Sequence, residues 1–124
     1  MILADTSIWI DHLRNGDAQL SGLLTAGRVV GHPFVIAEIA LGGLRARADV
    51  LRLLDGLPAL PVAEPDEVRT LIERHRLFGR GVGFVDASLI GSCLLAPGTQ
   101  LWTRDRRLDA VATELGVGPT DRSS

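Results

Sequence analysis

Residues 1–10, MILADTSIWI, contain two apolar runs that are separated by one acidic and two hydroxyl residues. The first run, Met1–Ala4, is short, which predicts a buried strand. Thr6 or Ser7 can cap a helix that carries the second run. Asp5 would then lie directly after a strand, and open α/β sheets bind their ligands at the carboxyl ends of parallel strands. The opening segment therefore predicts an α/β fold with an acidic residue at its functional edge.

The rest of the chain repeats this alternation of short apolar runs and helical patterns. The further strand candidates are Val29–Val30, Leu57–Val62 and Gln100–Thr103. Two prolines limit the second of these to a short or edge strand. Short strands between helices predict a short parallel sheet flanked by helices. We expect one domain over residues 1–118, followed by a polar tail at residues 119–124.

The composition excludes several classes of protein. The 124 residues are 46% hydrophobic and 23% charged, which is typical of a globular domain. The single cysteine excludes an internal disulfide and a cysteine zinc site. All 13 cationic residues are arginine, so sites that need a lysine are excluded, and a net charge of -2 gives no general attraction to nucleic acid. Because no membrane span and no secretory signal is visible, we expect a cytoplasmic protein without membrane contact.

Four acidic residues lie where a solvated carboxylate is not expected. Asp5 directly follows a predicted strand, Asp105 follows another one after a single residue, and Glu38 and Asp86 lie inside apolar runs. A carboxylate in such a segment carries a large desolvation penalty unless something compensates its charge. A helix cap or a buried ion pair can explain one of them, and Asp5 is the best candidate for a cap. One shared site explains all four.

A shared site for these carboxylates needs a cation. At roughly 5 Å spacing and an effective dielectric of about 20, each pair of carboxylates repels by ~3 kcal/mol. A ligand set of carboxylate oxygens is typical of Mg²⁺ or Mn²⁺. The three histidines have no ligand spacing, so we interpret them as surface or packing residues. The sequence thus predicts an acidic site that binds Mg²⁺, with Mn²⁺ as the other candidate.

Four segments, in this order, resemble the PIN-domain nucleases and, more narrowly, the VapC-type toxins of bacterial toxin–antitoxin pairs. The segments are residues 2–11 (ILADTSIWID), 35–38 (VIAE), 85–89 (VDASL) and 102–105 (WTRD). Each contains one of the four acids, and none departs from the family pattern at its acidic position. The resemblance spans nearly the whole chain and implies a PIN-like three-layer sandwich over residues 1–118.

The resemblance also implies an activity and its partners. It implies a Mg²⁺-dependent endoribonuclease that is the toxin of a type II toxin–antitoxin system and hydrolyses phosphodiester bonds in single-stranded regions of cellular RNA. The implied partners are a VapB-type antitoxin and a second copy of the chain, which form a heterotetramer or a larger assembly. Asp5 and Asp86 would bind the metal directly, and Glu38 and Asp105 would complete the site directly or through waters. The candidate hydroxyl donors to these carboxylates, each of which can equally be a helix cap, are Thr6, Ser7 and Thr103.

Three arginines are candidates for RNA phosphate contacts. Arg80 lies in a glycine-rich loop, where the backbone can approach a phosphate closely. Arg45 follows Glu38 by about two helical turns, if the helix continues through the intervening pair of glycines. Arg104 directly precedes Asp105. The alternative for each is a solvated or ion-paired arginine.

Other functions place acids at strand ends as well. A phosphoacceptor receiver domain needs a lysine, and the chain has none. Phosphatases with an aspartate nucleophile need a second aspartate two residues after the first, where this chain has Ser7. A non-catalytic, metal-dependent module that binds RNA or an antitoxin remains the alternative to an enzyme.

Overall fold

The first strand of the chain lies at the centre of the sheet. The computed structural model describes residues 1–119, so all but the first residue of the predicted polar tail lies outside the described residues. In it, β1 (Ile2–Ala4) pairs in parallel with β2 (Val29–Val30) on one side and with β3 (Gln100–Trp102) on the other. The three strands therefore end at the same edge of the sheet.

Helices surround this sheet along the described part of the chain. They are α1 (Thr6–Asn15), α2 (Ala18–Thr25), α3 (Pro33–Ala40), α4 (Arg47–Asp55), α5 (Pro65–His75), α6 (Phe84–Leu95) and α7 (Arg106–Glu114). The predicted α/β class, with a short parallel sheet flanked by helices, is confirmed. Within residues 1–119, no helix combines the length and the apolar character that a membrane span requires.

The segment at residues 57–62 differs from the sequence prediction. It forms one isolated parallel bridge, between Gly31 and Ala59, instead of a strand. The Gly31 N–H donates to the Pro58 carbonyl at 2.8 Å, and the Leu60 N–H donates to the Gly31 carbonyl at 3.0 Å. Pro58 and Pro61 have no N–H to donate, so the pairing cannot extend in either direction.

The core fixes the elements that carry the acidic residues. Leu3 of β1 and Leu101 of β3 are paired in register, and both are fully buried. Ile8 of α1 and Ile39 of α3 are also fully buried, and α6 is buried continuously over residues 87–93. Each helix is thus anchored by apolar side chains next to its acidic position, which lies near the edge of the core.

A buried histidine connects α3 to α6. His32 is the N-cap of α3 and is completely buried. Its Nδ1 accepts the Phe34 N–H at 3.1 Å, so Nε2 carries the proton and donates to the Ser92 hydroxyl at 2.9 Å. Burial lowers the pKa of His32 below its ordinary value of 6.5. This confirms a packing role for this histidine.

The neutrality of His32 makes the stability of the fold depend on pH. Below pH 6.5 the unfolded chain takes up a proton at this position before the folded chain does, so the free energy of unfolding falls as the pH falls. The slope for one proton is at most about 1.4 kcal/mol per pH unit. His32→Asn keeps a capping oxygen and removes the titrating ring. In urea unfolding, it should reduce the dependence of the free energy of unfolding on pH between pH 6.5 and 5. The exposed His75→Asn is the control, and equal slopes in all three proteins would contradict the assignment.

Candidate active site

Asp5 lies between β1 and α1 and is 7% exposed. It is the N-cap of α1, because its Oδ1 accepts the Ile8 N–H at 3.2 Å. Of the candidate caps in the sequence, Asp5 caps this helix, and Thr6 and Ser7 do not. The Ser7 hydroxyl also donates to Oδ1, and the Thr103 hydroxyl donates to Oδ2. Both carboxylate oxygens of Asp5 are thus held in place at the carboxyl end of the central strand.

Glu38 lies on α3 beside the start of α1. Its neighbours Val35 and Ile39 face the core, whereas Glu38 itself is exposed. The Thr6 hydroxyl donates to Glu38 Oε1 at 2.8 Å. Because Thr6 directly follows Asp5, this hydrogen bond connects Glu38 to the end of the central strand.

Asp86 lies in the first turn of α6 and is half-buried. Burial raises the pKa of Asp86, and the negative charges of Asp105, Asp5 and Glu38 raise it further, while a hydrogen bond with the Gly83 backbone opposes the shift. The three other acids are therefore close enough to act on the charge of Asp86. The structure brings together the predicted residues, which we call the acidic cluster: Asp5, Glu38, Asp86 and Asp105.

Asp105 is the N-cap of α7 and is exposed. Its Oδ1 accepts the N–H groups of Arg107 at 2.9 Å and of Leu108 at 3.3 Å. The Asp105 N–H donates to the Thr103 hydroxyl oxygen at 3.0 Å, and the same hydroxyl donates to Asp5. Thr103 therefore connects two members of the acidic cluster through one oxygen.

The donor set of the acidic cluster fits a hard divalent cation. Every candidate ligand is a carboxylate oxygen, and the repulsion on Asp86 is of the kind that a cation relieves. Within residues 1–119, no group of three or more His, Cys, Asp or Glu side chains is arranged so that it could hold a metal ion. Mg²⁺ does not need such a group, because it keeps several waters and takes one or two carboxylates directly. Cys93 does not compete as a ligand, since burial raises the pKa of its thiol to about 12.

Arg80 is held by α7. Its Nη1 donates to Glu114 Oε2 at 2.6 Å, and its Nη2 donates to Oε1 at 3.0 Å. The next residue, Gly81, has a φ of +76°, and a Cβ there would overlap the guanidinium of Arg107. The glycine-rich loop thus packs against the side chain of Arg107, which lies on α7. Of the two interpretations of Arg80, this geometry matches the ion-paired arginine.

Arg104 is also held by carboxylates. Its Nη2 donates to Asp11 Oδ2 at 2.8 Å and to Asp17 Oδ2 at 3.0 Å. Its guanidinium carbon lies 5.9 Å from the centre of the Trp102 ring. The Arg104 backbone N–H donates to the Ser7 hydroxyl oxygen at 3.2 Å. Arg104 therefore contacts the start of α1 through its backbone, and it contacts α1 and the N-cap of α2 through its side chain.

Arg45 does not share a helix with Glu38. Helix α3 ends at Ala40, and α4 begins at Arg47, so the condition that the helix continues through the glycines is not met. The pair of glycines at residues 42–43 lies in the connection, as their low helix propensity explains. Arg45 is exposed.

Sequence reasoning missed the carboxylates that hold the arginines. In the sequence, nothing distinguishes Asp11, Asp17 and Glu114 from ordinary solvated acids. They contact arginines that are 93, 87 and 34 positions away. No pattern within a short stretch of sequence indicates such contacts. The one usable signal for Arg104 is that two acids, Asp11 and Asp17, lie on consecutive predicted helices.

Comparison with known proteins gives consistent matches over all or most of the chain. The sequence matches the PIN domain family over residues 2–114, from the first residue of β1 to the last residue of α7. Ribonuclease VapC32 of Mycobacterium tuberculosis strain CDC 1551 / Oshkosh is 51% identical over 124 residues, which is 100% of both chains. Ribonuclease VapC32 of strain ATCC 25618 / H37Rv is likewise 51% identical over 124 residues and 100% of both chains.

Proposed function

The chain belongs to the PIN-domain family, and from this premise we propose that it is a toxin endoribonuclease of a type II toxin–antitoxin system. It hydrolyses phosphodiester bonds in single-stranded regions of cellular RNA. The observation that carries this proposal is the acidic cluster, in which four carboxylates converge on the carboxyl-terminal edge of the sheet. The two relatives named ribonucleases, at 51% identity, support the same activity.

Asp5 and Asp86 are the proposed direct ligands of a Mg²⁺ ion, and Glu38 and Asp105 complete the site. When bound, such an ion activates a water and offsets the charge that develops on the scissile phosphate. Asp5 is oriented for this role by the hydroxyls that fix both of its oxygens. The same carboxylates repel an RNA phosphate as long as their charge is uncompensated. RNA binding at the site and metal binding are therefore coupled.

Cleavage of a mixture of single-stranded RNAs by the purified protein tests this function. We expect cleavage with Mg²⁺, and with Mn²⁺ as a substitute, and none in excess chelator. Readdition of Mg²⁺ should restore cleavage, which excludes damage by the chelator. Cleavage that persists in chelator would contradict the metal-dependent mechanism. Metal-dependent RNA binding without cleavage would identify the non-catalytic module instead.

The proposed antitoxin of the VapB type should inhibit the enzyme at the acidic cluster. Because this chain offers a concentrated negative site and a net charge of only -2, we expect the antitoxin to place at least one arginine or lysine there. Such a cation competes with the metal. The complex should therefore bind Mn²⁺ at least about 10-fold more weakly than the free protein in calorimetry, a coupling of about 1.4 kcal/mol.

An unchanged affinity for Mn²⁺ in the complex would contradict this inhibition mechanism.

We also propose that the chain is a homodimer and that it forms a heterotetramer or a larger assembly with the antitoxin. An apolar groove between α5 and α6, with Leu71, Leu94 and Leu95 in its lining, supports an interface on this side of the molecule. Light scattering measures the oligomeric state of the free protein and that of its complex with the antitoxin.

Arg45 is the first of the three arginines to test as an RNA phosphate contact. It is exposed, whereas Arg80 and Arg104 already donate to carboxylates. In an Asp5→Asn background, Arg45→Ala should weaken RNA binding equally across sequences, because phosphate contacts carry no sequence information. It should also reduce the slope of log affinity against log salt by about 0.7.

The matched control for Arg45→Ala is Arg52→Ala, which removes an exposed arginine that is paired with Asp49 on α4. Fluorescence anisotropy of labelled RNA at several salt concentrations measures both variants. If the two variants have equal RNA affinities and equal slopes of log affinity against log salt, Arg45 is a solvated arginine that does not contact RNA.

A further inference from the structure

We infer that Arg104 is a positioning residue that holds the turn between β3 and α7 against α1, and that it is not an RNA phosphate contact. The turn consists of Thr103, Arg104 and Asp105, so it contains one member of the acidic cluster and the hydroxyl that connects this member to Asp5. This inference rests on the proposed function, since it assigns a role within the same site.

The turn is fastened to α1 at two separate places. Near the start of α1, the Thr103 hydroxyl donates to Asp5 and the Arg104 N–H donates to the Ser7 hydroxyl oxygen. Further along, the Arg104 guanidinium donates to Asp11 at 2.8 Å and to Asp17, the N-cap of α2, at 3.0 Å. The first pair of contacts sets the position of the turn, and the second pair prevents its rotation about that point.

The guanidinium of Arg104 is directed away from the acidic cluster. Asp11 is six residues beyond Asp5, which corresponds to about 9 Å along the axis of α1. An arginine side chain that reaches Asp11 therefore extends along the helix toward its far end. The ring of Trp102, 5.9 Å from the guanidinium carbon, lies beside this path.

The charges around the guanidinium also disfavour a phosphate. Arg104 contributes one positive charge, and Asp11 and Asp17 contribute two negative charges at hydrogen-bond distance. A phosphate that approaches this group meets a net negative charge. An arginine that serves a phosphate would instead leave its donors available, as in the bidentate contacts that arginine makes with phosphates.

Two kinds of variant separate positioning from RNA contact. Arg104→Met removes the guanidinium and keeps a long side chain. The double variant Asp11→Ala with Asp17→Asn removes both negative charges and the Asp11 acceptor, and it keeps the cap of α2, because an asparagine oxygen still accepts the Leu20 N–H. Positioning predicts that the two variants behave alike. An RNA contact predicts opposite effects, since the double variant releases the guanidinium.

The readouts are steady-state cleavage, Mn²⁺ binding to the metal-free protein, and hydrogen exchange of the amides at residues 103–105. We expect both variants to lose about 10-fold in kcat with less than a 2-fold change in KM for RNA, as for other residues that orient metal ligands. Mn²⁺ binding should weaken by a similar factor, and the three amides should exchange faster. Arg52→Met, which removes an exposed pair on α4, should change none of these.

Two results would overturn the inference. One is a rise in KM with unchanged kcat in Arg104→Met, accompanied by tighter RNA binding in the double variant. The other is unchanged Mn²⁺ binding and unchanged exchange at residues 103–105 in both variants. If the wild-type protein fails to cleave RNA, the proposed function fails, yet Mn²⁺ binding and hydrogen exchange still decide whether Arg104 holds the turn.

Discussion

Asp5→Asn and Asp86→Asn should each reduce RNA cleavage by at least about 100-fold while the fold remains intact. A direct metal ligand supports several kcal/mol of transition-state stabilisation, and each 1.36 kcal/mol corresponds to tenfold in rate. Asparagine nearly preserves the shape of the side chain and removes its charge. At Asp5 it also keeps an oxygen that can accept the Ile8 N–H, so α1 stays capped. Single-turnover cleavage of a labelled RNA measures the loss.

Thermal unfolding in chelator is the control for these two variants. The pKa of Asp86 is raised by burial and by the neighbouring carboxylates, which means that its charge destabilises the metal-free fold. Asp86→Asn should therefore unfold at a temperature about 2–5 °C higher than the wild type. Full activity in either variant would exclude the proposed ligand set, and a large drop in unfolding temperature would show that lost folding explains the lost activity.

Thr103→Val should lower cleavage by about 10- to 100-fold, because residues that orient metal ligands typically have effects of this size. Valine has the shape of threonine but neither donates to Asp5 nor accepts the Asp105 N–H. Two members of the acidic cluster would thus lose their common hydrogen-bond partner at once. The Mg²⁺ concentration at half-maximal rate should rise in parallel with the loss of rate.

Thr103→Ser is the matched control, since it restores the hydroxyl and removes only a methyl group. We expect its cleavage rate within about 3-fold of the wild type, given that surface substitutions without a lost partner usually have small effects. Equal rates in the valine and serine variants would show that the hydroxyl of Thr103 does not orient the carboxylates.

The acidic cluster could be predicted because each of its members lies at a position where a solvated acid is not expected. Asp86 and Glu38 lie in runs that are otherwise apolar, Asp5 directly follows a strand, and Asp105 lies in the turn after another strand. The helices were equally predictable where their ends carry clear signals. Helix α5 begins at Pro65 and has acidic residues in its first turn and basic residues in its last turn, which are the sequence signals of a helix start and a helix end.

The features that could not be predicted depend on tertiary contacts. Asp5, Thr6 and Ser7 are all good N-cap residues, and local preference does not rank them. The choice of Asp5 follows from the hydroxyl of Thr103, which is distant in the sequence. The acids that pair with Arg80 and Arg104 could not be predicted either. Any solvated acid on a neighbouring helix is a candidate until the positions of the helices are known.

The separation of Asp5 and Thr103 by 98 positions has a consequence for the order of synthesis. A ribosome adds Asp5 early, whereas β3 and Thr103 come only after six of the helices. Until then one side of β1 has no strand partner, and Asp5 lacks both the hydroxyl of Thr103 and its neighbour Asp105. A nascent chain shorter than this carries an incomplete nuclease site. The acidic cluster is therefore complete only after β3 and the turn that follows it have been synthesised.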